Sequence, residues 1–467
     1  METNIISFVF VGLFALMMGY LTYFNIAEAG DVVKNPYNKM IDSQADKVIR
    51  GNILASDGSV LATTKVDADG NETREYPYGS TFSHVVGLAS AKTGLEGSQN
   101  FYLLSKPENI FEQISKDATG TKFVGDTVVT TLVPELQKAA DKALGNNKGA
   151  VIVMEPSTGK ILAMVSKPDY DPNAAVTEYS KWLEYDSSDS VLLNRATQGL
   201  YPPGSTFKIL TALEYVRENS DYDSYTYNCN GSAYVDGGTT IPCNNNKAHG
   251  HETLKTAFAN SCNSAFSTLG LKLNKSEFKN TCESFLFNND LPVEIEHNSS
   301  SMTINADSGI SEVQETSIGQ GKTMMSPLHN LMITSTIANN GKMMTPYLVD
   351  AVKDSNDNVV EQKSPTVYKD NLVSASEAAT IKKYMRAVVT NGTGTAFRNA
   401  SYEVAGKTGS AQYDNSSNYH SWFVGFAPYD NPKVAICVVL EGGFKNVSSA
   451  QYIAKPVLDE YFKLNGK

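Results

Sequence analysis

An uninterrupted apolar segment near the start of the chain limits its fold more than any other feature. Ile5 to Phe24 contains no charged side chain. About 20 apolar residues are enough to cross a bilayer as a helix, and in lipid a helix satisfies its own backbone polar groups. The sequence therefore predicts one transmembrane helix, with the bulk of the chain on one side of a membrane.

A cleaved signal peptide is the alternative interpretation of this segment. Ala27-Glu28-Ala29 has the small-x-small pattern of a cleavage site, which would leave a chain beginning at Gly30. The apolar run is longer than the usual ~7–15 residues of a signal core, and no Lys or Arg precedes it. We expect a retained anchor.

The orientation of this anchor has to be assigned from function, because the positive-inside rule does not favour a C-terminal part outside the cell. Three lysines follow the span: Lys34, Lys39 and Lys47.

The segment Tyr-Pro-Pro-Gly-Ser-Thr-Phe-Lys-Ile-Leu, from Tyr201 to Leu210, carries a nucleophile signal. The Pro and Gly residues predict a turn, and Ser205 then falls in the first turn of a predicted helix, Ser205 to Arg217, where free N–H groups favour a developing oxyanion. Lys208 lies three positions later on the same helix face. A desolvated lysine can be neutral enough to accept the proton of a serine hydroxyl. Alone, Ser-x-x-Lys also occurs by chance on exposed helices.

Two further segments follow in a specific order. They are Ser261-Cys262-Asn263 and Lys407-Thr408-Gly409-Ser410. With the Ser-x-x-Lys segment they form the motif set of penicillin-binding proteins and β-lactamases. The chain thus resembles the penicillin-recognising serine transferases.

A second resemblance precedes these motifs. Arg50-Gly51-x-Ile53 and the hairpin signal Asp57-Gly58 are similar to the start of the pedestal domain of class B penicillin-binding proteins, although Ala55 and Ser56 replace charged residues common there. Three later segments are also similar to the pedestal: Arg74–Pro77, His84–Gly87 and Thr93–Glu96. Gly79-Ser80-Thr81-Phe82 copies the nucleophile segment, but Ser83 stands where the lysine is required, so we interpret it as a turn.

The strand signals after residue 148 complete the predicted fold. Ala150–Met154 and Ile161–Val165 predict a hairpin, Ser421–Ala427 and Val434–Leu440 predict adjacent strands, and Ala450–Leu464 has helical spacing. We predict an α+β fold: an antiparallel sheet flanked by helices with a helical lobe, of the β-lactamase/transpeptidase type, after a membrane helix and a mainly β pedestal. The predicted divisions are a cytoplasmic tail (1–4), the anchor (5–24), the pedestal (31–147) and the transpeptidase domain (148–467).

The resemblance implies a role for each motif residue. Ser205 attacks a carbonyl, Lys208 takes its proton, Ser261 relays that proton to the leaving amine, and Asn263 hydrogen-bonds a substrate amide. The backbone N–H groups of Ser205 and Ser410 form the oxyanion hole. Lys407, Thr408 and Ser410 hold a terminal carboxylate, and Gly409 leaves space for substrate. Ser410 stands where the family more often has Thr and keeps the hydroxyl.

The implied activity is that of a peptidoglycan D,D-transpeptidase in the bacterial cell membrane, with its catalytic domain extracytoplasmic. It would act on stem peptides ending in D-Ala-D-Ala and be inhibited covalently by β-lactams. The anchor and pedestal imply a polytopic membrane glycan polymerase as partner.

Two other functions remain open at this stage. A β-lactamase or β-lactam sensor would share Ser-Thr-Phe-Lys, but Asn263 is unlike the Val usual in class D enzymes. Glu294–Asn298 resembles the segment with the deacylating Glu of class A enzymes, and we interpret it as an exposed acidic loop. An inactive scaffold is the other alternative, against which the three intact motifs argue.

Charge and cysteine usage exclude other classes. A net charge of −11 without a long basic run argues against nucleic-acid binding. Cys229 and Cys243 could form a disulfide, whereas the other cysteines are expected to pack as small hydrophobes: Cys262, Cys282 and Cys437. His249-Gly-His251 is interpreted as a loop feature, so no metal or organic cofactor is expected. His329 and His420 are expected to pack or hydrogen-bond.

Overall fold

The fold combines helices and sheets, as predicted. The structure, a computed structural model, describes residues 2–29, 32, 35, 38–43, 45–106, 118–184, 189–413, 418–442 and 449–466. Its strands, β1 to β19 in chain order, are Val48–Ile49, Ile53–Leu54, Val60–Val66, Glu72–Glu75, Phe123–Val124, Thr127–Thr130, Gly149–Met154, Ile161–Lys167, Thr226–Cys229, Ser232–Ala233, Ile241–Pro242, Gly250–Thr253, Met343–Met344, Val349–Lys353, Val359–Gln362, Val367–Lys369, Ala405–Gln412, Tyr419–Ala427 and Val434–Leu440.

The α-helices connect these strands and cover the sheets. Helices α1 to α15 in chain order are Glu2–Tyr23, Lys39–Asp42, Ser83–Val86, Gly94–Ser98, Asn100–Leu103, Pro134–Leu144, Ala175–Leu183, Lys208–Glu218, Leu254–Ala259, Asn263–Gly270, Lys275–Ser284, Ile310–Ser317, Pro327–Ala338, Ala375–Thr390 and Ala450–Leu464.

The predicted anchor is helical throughout. Helix α1 continues into a π-helical turn, Phe24–Glu28, and most apolar side chains from Ile5 to Ile26 are exposed. Its segment Ile5–Glu28 is long and apolar enough to cross a membrane. Gly30, at the possible cleavage site, and Lys34, one of the lysines after the span, lie outside the described residues.

A five-stranded antiparallel sheet forms the centre of the C-terminal part, in the order β17-β18-β19-β7-β8. The predicted β7–β8 hairpin and the adjacent strands β18 and β19 are present. Alternate residues of β19 enter different cores: Val438 packs in a cluster with Ile453 of α15, and Val439 in a cluster with Leu331 of α13. This period of two follows from the pleat of a strand covered on both faces.

A second sheet joins the two predicted domains. Its order is β15-β14-β6-β2-β3-β4, so β14 and β15, from the predicted transpeptidase domain, pair next to pedestal strands. Val352 of β14 lies opposite Val128 of β6, which in turn lies opposite Ile53 of β2. The domain boundary between residues 147 and 148 stays a prediction. Strands from both sides of this boundary, β6 and β14, are hydrogen-bonded to each other in this sheet.

Three of the pedestal segments identified in the sequence meet at one buried carboxylate. Arg50 Nε donates to Glu96 Oε2 at 2.6 Å, and Arg74 Nε donates to Glu96 Oε1 at 2.7 Å. The Glu96 side chain is fully buried. Burial alone would raise the pKa of Glu96, but the guanidinium groups of Arg74 and Arg50 outweigh it and lower the pKa.

Candidate active site

The nucleophile segment forms a turn followed by a helix. Gly204–Thr206 is a 3₁₀ turn, and helix α8 begins at Lys208 rather than at Ser205 as predicted. Gly204 has φ +54°, which explains the glycine before the serine. The Ser205 N–H has no hydrogen-bond acceptor among the described residues, and the side chain borders a cleft. The later start of α8 has little chemical consequence, because the Ser205 N–H still lies in the first turn of a helical segment.

This turn is fixed from three directions by residues far away in sequence. Gly204 N–H donates to Gly319 O at 2.8 Å. Trp422 Nε1 donates to Pro202 O at 3.0 Å, and Asn330 Nδ2 donates to Thr206 Oγ1 at 2.9 Å. Such contacts hold the serine in one conformation.

Gly319 supports this turn and was not among the predicted site residues. A Cβ there would lie 2.2 Å from Gly204 O, so any side chain would displace the nucleophile turn. Its φ of +71° adds a second restriction. The signal was available in the sequence as Gly319-Gln320-Gly321, two glycines in close succession after a helical segment.

Lys208 lies fully buried behind Ser205. Its Nζ donates to Asn263 Oδ1 at 2.8 Å and to Ser261 O at 2.9 Å, with Ser261 Oγ at 3.5 Å. No hydrogen bond joins Lys208 Nζ to Ser205 among the described residues. Burial lowers the pKa of Lys208 to about 7, against opposing contributions from Cys262 and Cys243.

Ser261 connects the two motif lysines. Lys407 Nζ donates to Ser261 Oγ at 2.8 Å, so the serine hydroxyl lies between two buried amines. Burial, and next the charge of Lys208, lowers the pKa of Lys407 well below its usual value. Ser261 lies in a turn between α9 and α10, and its φ is +56°. Left-handed backbone at a non-glycine residue is uncommon and is held here by the surrounding structure.

Strand β17 presents Thr408, Gly409 and Ser410 along one wall of the cleft. It is the edge strand of the five-stranded sheet, so part of its backbone has no neighbouring strand. Thr408 Oγ1 lies 2.6 Å from Thr393 Oγ1. The structure gives Gly409 an additional role: a Cβ there would lie 3.0 Å from Trp422 Cβ and 3.1 Å from Thr206 Cγ2, within the packing of the nucleophile turn.

All eight predicted site residues therefore meet in one place. The cleft has a volume of about 1360 Å³. Lys208 and Lys407 are buried behind it, whereas the other six line it: Ser205, Ser261, Asn263, Thr408, Gly409 and Ser410. Gln320 and Arg398 also line it and were not predicted.

The segment that resembled a deacylating Glu lies elsewhere. Glu296 Oε2 accepts a hydrogen bond from Gly94 N–H of the pedestal at 3.0 Å, and neither Glu294 nor Glu296 lines the cleft. Glu294 is half-buried rather than exposed as predicted, because it packs at the pedestal side, and burial raises its pKa to about 7. A deacylation base is thus not supplied by this segment.

The two histidines pack, as expected. His420 stacks on the ring of Tyr413 with centroids 4.1 Å apart and contacts Tyr201 edge-on. His329 is buried against Phe287, with centroids 4.7 Å apart, and burial lowers its pKa to about 4.

The cysteines differ from the sequence interpretation. All five are buried and free, so Cys229 and Cys243 form no disulfide, although their sulfurs lie 3.7 Å apart. Cys262 does not simply pack as a small hydrophobe: its Sγ lies 3.7 Å from Cys243 Sγ. His249 Nδ1 lies 3.4 Å from Cys229 Sγ and is therefore more than a loop feature. Sequence spacing missed this cluster because four separate segments build it.

Comparison with known proteins agrees with this geometry. Residues 149–460 match the penicillin binding protein transpeptidase domain family, and residues 50–128 match the penicillin binding protein A dimerisation domain family. The chain is 31% identical to the peptidoglycan D,D-transpeptidase PbpA of Mycolicibacterium smegmatis, covering 94% of this chain and 93% of that protein.

Solved structures share the fold. The D,D-transpeptidase domain of a peptidoglycan glycosyltransferase from Eggerthella lenta superposes with a TM-score of 0.80 at 32% identity, covering 90% of this chain and 99% of that one. Penicillin-binding protein A from M. tuberculosis, as an imipenem acyl-enzyme complex, superposes with a TM-score of 0.81 at 29% identity, covering 89% and 99%.

Proposed function

Because this chain belongs to the penicillin-binding protein transpeptidase family, and is a class B peptidoglycan D,D-transpeptidase, we propose that Ser205 is its nucleophile. One observation carries the assignment. Behind Ser205, the buried amines of Lys208 and Lys407 share the hydroxyl of Ser261. Two buried amines this close disfavour each other's charge, so a neutral amine is available as a base.

Acylation follows from this arrangement. Ser205 Oγ attacks the carbonyl carbon of the penultimate D-Ala while Lys208 Nζ takes the hydroxyl proton. The N–H groups of Ser205 and Ser410 stabilise the oxyanion, an effect of roughly 2.7–4 kcal/mol per donor in other acyl-transfer enzymes. The C–N bond to the terminal D-Ala then breaks.

Proton relay and transfer complete the cycle. The proton on Lys208 passes through Ser261 Oγ to the leaving amine, which departs as free D-Ala. An amine of a second stem peptide then attacks the Ser205 ester, loses a proton by the reverse route, and forms the cross-link. Asn263 already donates through Nδ2 to Pro242 O at 2.9 Å and accepts from Lys208 through Oδ1. We propose that it orients Lys208 as well as a substrate amide.

Carboxylate recognition is divided between the wall of the cleft and the charge behind it. Thr408 and Ser410 line the cleft and would donate hydroxyl hydrogen bonds to the terminal carboxylate. Lys407 Nζ donates instead to Ser261 Oγ and to Thr408 O, the latter at 3.1 Å. We propose that it acts on the carboxylate electrostatically from behind β17.

The protein's location and partner are part of the proposal. The exposed apolar side chains of α1 support a single-pass anchor in the bacterial cell membrane, and the extracellular position of peptidoglycan requires an extracytoplasmic catalytic domain. The anchor and pedestal would also bind a polytopic membrane glycan polymerase.

Labelled penicillin tests the assignment and separates the three candidate activities. A long-lived adduct on Ser205, located by peptide mapping, is the expected result for the transpeptidase. Rapid turnover of the label would indicate a β-lactamase, and no adduct would indicate an inactive scaffold.

A matched pair of variants sharpens this test. Ser205→Ala should abolish the adduct and leave the fold intact, since only a hydroxyl is removed. Ser80→Ala is the control, because Ser80 occupies the same position in the copy Gly79-Ser80-Thr81-Phe82, which also forms a 3₁₀ turn. It should label normally, and a label mapped to any serine other than Ser205 would refute the assignment.

A further inference from the structure

Four potential metal ligands converge beside the active site. Their ligand atoms all lie within 4.8 Å of one another: Cys229 Sγ, Cys243 Sγ, Cys262 Sγ and a ring nitrogen of His249. They come from the end of β9, the residue after β11, the loop before β12 and the residue before α10. Because local spacing does not explain this convergence, the tertiary fold must hold it.

The distances match a tetrahedral site. With Zn–S bonds of about 2.3 Å and tetrahedral angles, ligand sulfurs lie about 3.8 Å apart. Cys243 Sγ is 3.7 Å from both Cys229 Sγ and Cys262 Sγ. His249 Nδ1 is 3.4 Å from Cys229 Sγ, close to the roughly 3.5 Å expected for a nitrogen and a sulfur ligand of one zinc ion.

Groups around the sulfurs would support thiolates. Ser264 Oγ lies 3.1 Å from Cys229 Sγ and 3.3 Å from both Cys243 Sγ and Cys262 Sγ. Ala265 N–H donates to Cys262 Sγ at 3.4 Å. Hydrogen bonds from outer groups of this kind orient the ligands of metal sites.

We propose that Cys229, Cys243, His249 and Cys262 bind one zinc ion. Three thiolates and an imidazole in a tetrahedral arrangement favour Zn²⁺ over Mg²⁺ or Ca²⁺, which take oxygen ligands. A disulfide is the competing chemistry. It would join two sulfurs, leave the third thiol unpaired, and make no use of the imidazole.

The ion would position the proton relay. Cys262 lies between Ser261 and Asn263, which both accept hydrogen bonds from Lys208 Nζ. Asn263 Nδ2 also donates to Pro242 O, beside the ligand Cys243. Zinc would therefore fix both sides of the turn in which Ser261 adopts its left-handed backbone. This role for the ion goes beyond the proposed acyl transfer and makes the four ligands positioning residues.

Metal content tests the binding without reference to activity. Full-length protein purified in detergent without added metal, and analysed by inductively coupled plasma mass spectrometry, should contain one zinc per chain. Cys229→Ala and His249→Ala should each lower zinc content at least tenfold, as expected for loss of a ligand. Cys282→Ala is the control, because Cys282 is a buried cysteine outside the cluster. It should retain one zinc per chain.

Acylation by labelled penicillin tests the positioning role. Removing zinc with a chelator should slow labelling at least tenfold, and added zinc should restore it. Circular dichroism of the His249→Ala variant shows whether the fold survives. Protein without zinc whose mass is 2 Da low, indicating a disulfide, would overturn the proposal, as would full zinc content in both ligand variants. Normal acylation in the zinc-free protein would overturn the positioning role while leaving the nucleophile assignment intact.

Discussion

At the scale of single residues, the site depends on a charge arrangement that the protein interior enforces. Lys208 and Lys407 are both fully buried, and the hydroxyl of Ser261 is hydrogen-bonded between them. Burial penalises each ammonium and so lowers the pKa of both lysines, and the charge of Lys208 lowers the pKa of Lys407 further. The site thus keeps a proton acceptor near neutral pH, where an exposed lysine would be protonated.

The first prediction at this scale concerns pH. Burial lowers the pKa of Lys208 to about 7, and only the neutral amine can accept the Ser205 proton. The rate constant for acylation by labelled penicillin should therefore fall about tenfold per pH unit below that value and level off above it. Lys208→Arg, which keeps the side chain protonated, should lower the rate roughly 10²- to 10⁴-fold at every pH. A profile that is flat through pH 7 would contradict the assigned base.

Lys407 should contribute charge to carboxylate recognition. Lys407→Ala removes a charged hydrogen bond to Ser261 and the positive charge behind Thr408, so acylation should slow roughly 10- to 100-fold. The loss should be smaller for a penicillin methyl ester, which has no carboxylate. Lys455→Ala, at an exposed ion pair with Asp459, is the control and should acylate normally. Equal losses for acid and ester would rule out the carboxylate role.

At the scale of elements, the pedestal is held by charge as well as by strand pairing. Arg50 precedes β2, Arg74 lies in β4 and Glu96 lies in α4, and the three side chains form one buried cluster. Removing one charged member of a buried cluster leaves the charges of its partners uncompensated. This loss destabilises a protein more than the loss of an exposed ion pair.

Glu96→Gln should consequently destabilise the protein by about 3–5 kcal/mol. Glu75→Gln, which breaks an exposed pair with Lys65, should cost less than about 1 kcal/mol. The measurement is the free energy of unfolding by denaturant titration of each full-length variant.

The pH dependence of stability has a defined sign. The folded-state pKa of Glu96 is lowered, so its contribution is present above the unfolded-state pKa and is lost as pH falls through the folded-state pKa. The wild type should lose more stability than Glu96→Gln over that acidic range. The same loss in both proteins would show that the cluster is not the cause.

At the scale of the whole molecule, one sheet and one helix decide how the parts are connected. Strands β14 and β15 extend the sheet that contains pedestal strands β2, β3, β4 and β6. The pedestal is therefore tied to the catalytic region by backbone hydrogen bonds. Among the described residues helix α1 has no such connection, and its exposed apolar side chains need another environment.

The anchor prediction follows from that exposure. If Ile5 to Phe24 is retained in the bilayer, the protein should stay with membranes in high salt, because burial of apolar residues does not depend on charge screening. Mass measurement of the native protein should give an N-terminus at or near Met1. A mature N-terminus at Gly30 would refute the anchor and remove the basis for a partner bound through the membrane.

Features set by neighbouring residues were predictable from the sequence alone. The long apolar run near the start specified a long helix, two short apolar runs close together specified the β7–β8 hairpin, and the glycine before Ser205 specified a turn. The motif order then indicated which distant residues should meet. These predictions succeeded because backbone preferences and side-chain periodicity act over only a few residues.

Only the tertiary structure decided how distant segments complete the site. Ser261 and Lys407 are 146 positions apart, yet share a hydrogen bond that becomes possible because α14 packs against both α9 and β17. Gly319 supports the nucleophile turn, Lys208 owes its lowered pKa to burial, and four separate segments bring Cys229, Cys243, His249 and Cys262 together. The physical reason is the same throughout: desolvation and metal-ligand geometry depend on which groups surround an atom, and chain spacing does not specify those neighbours.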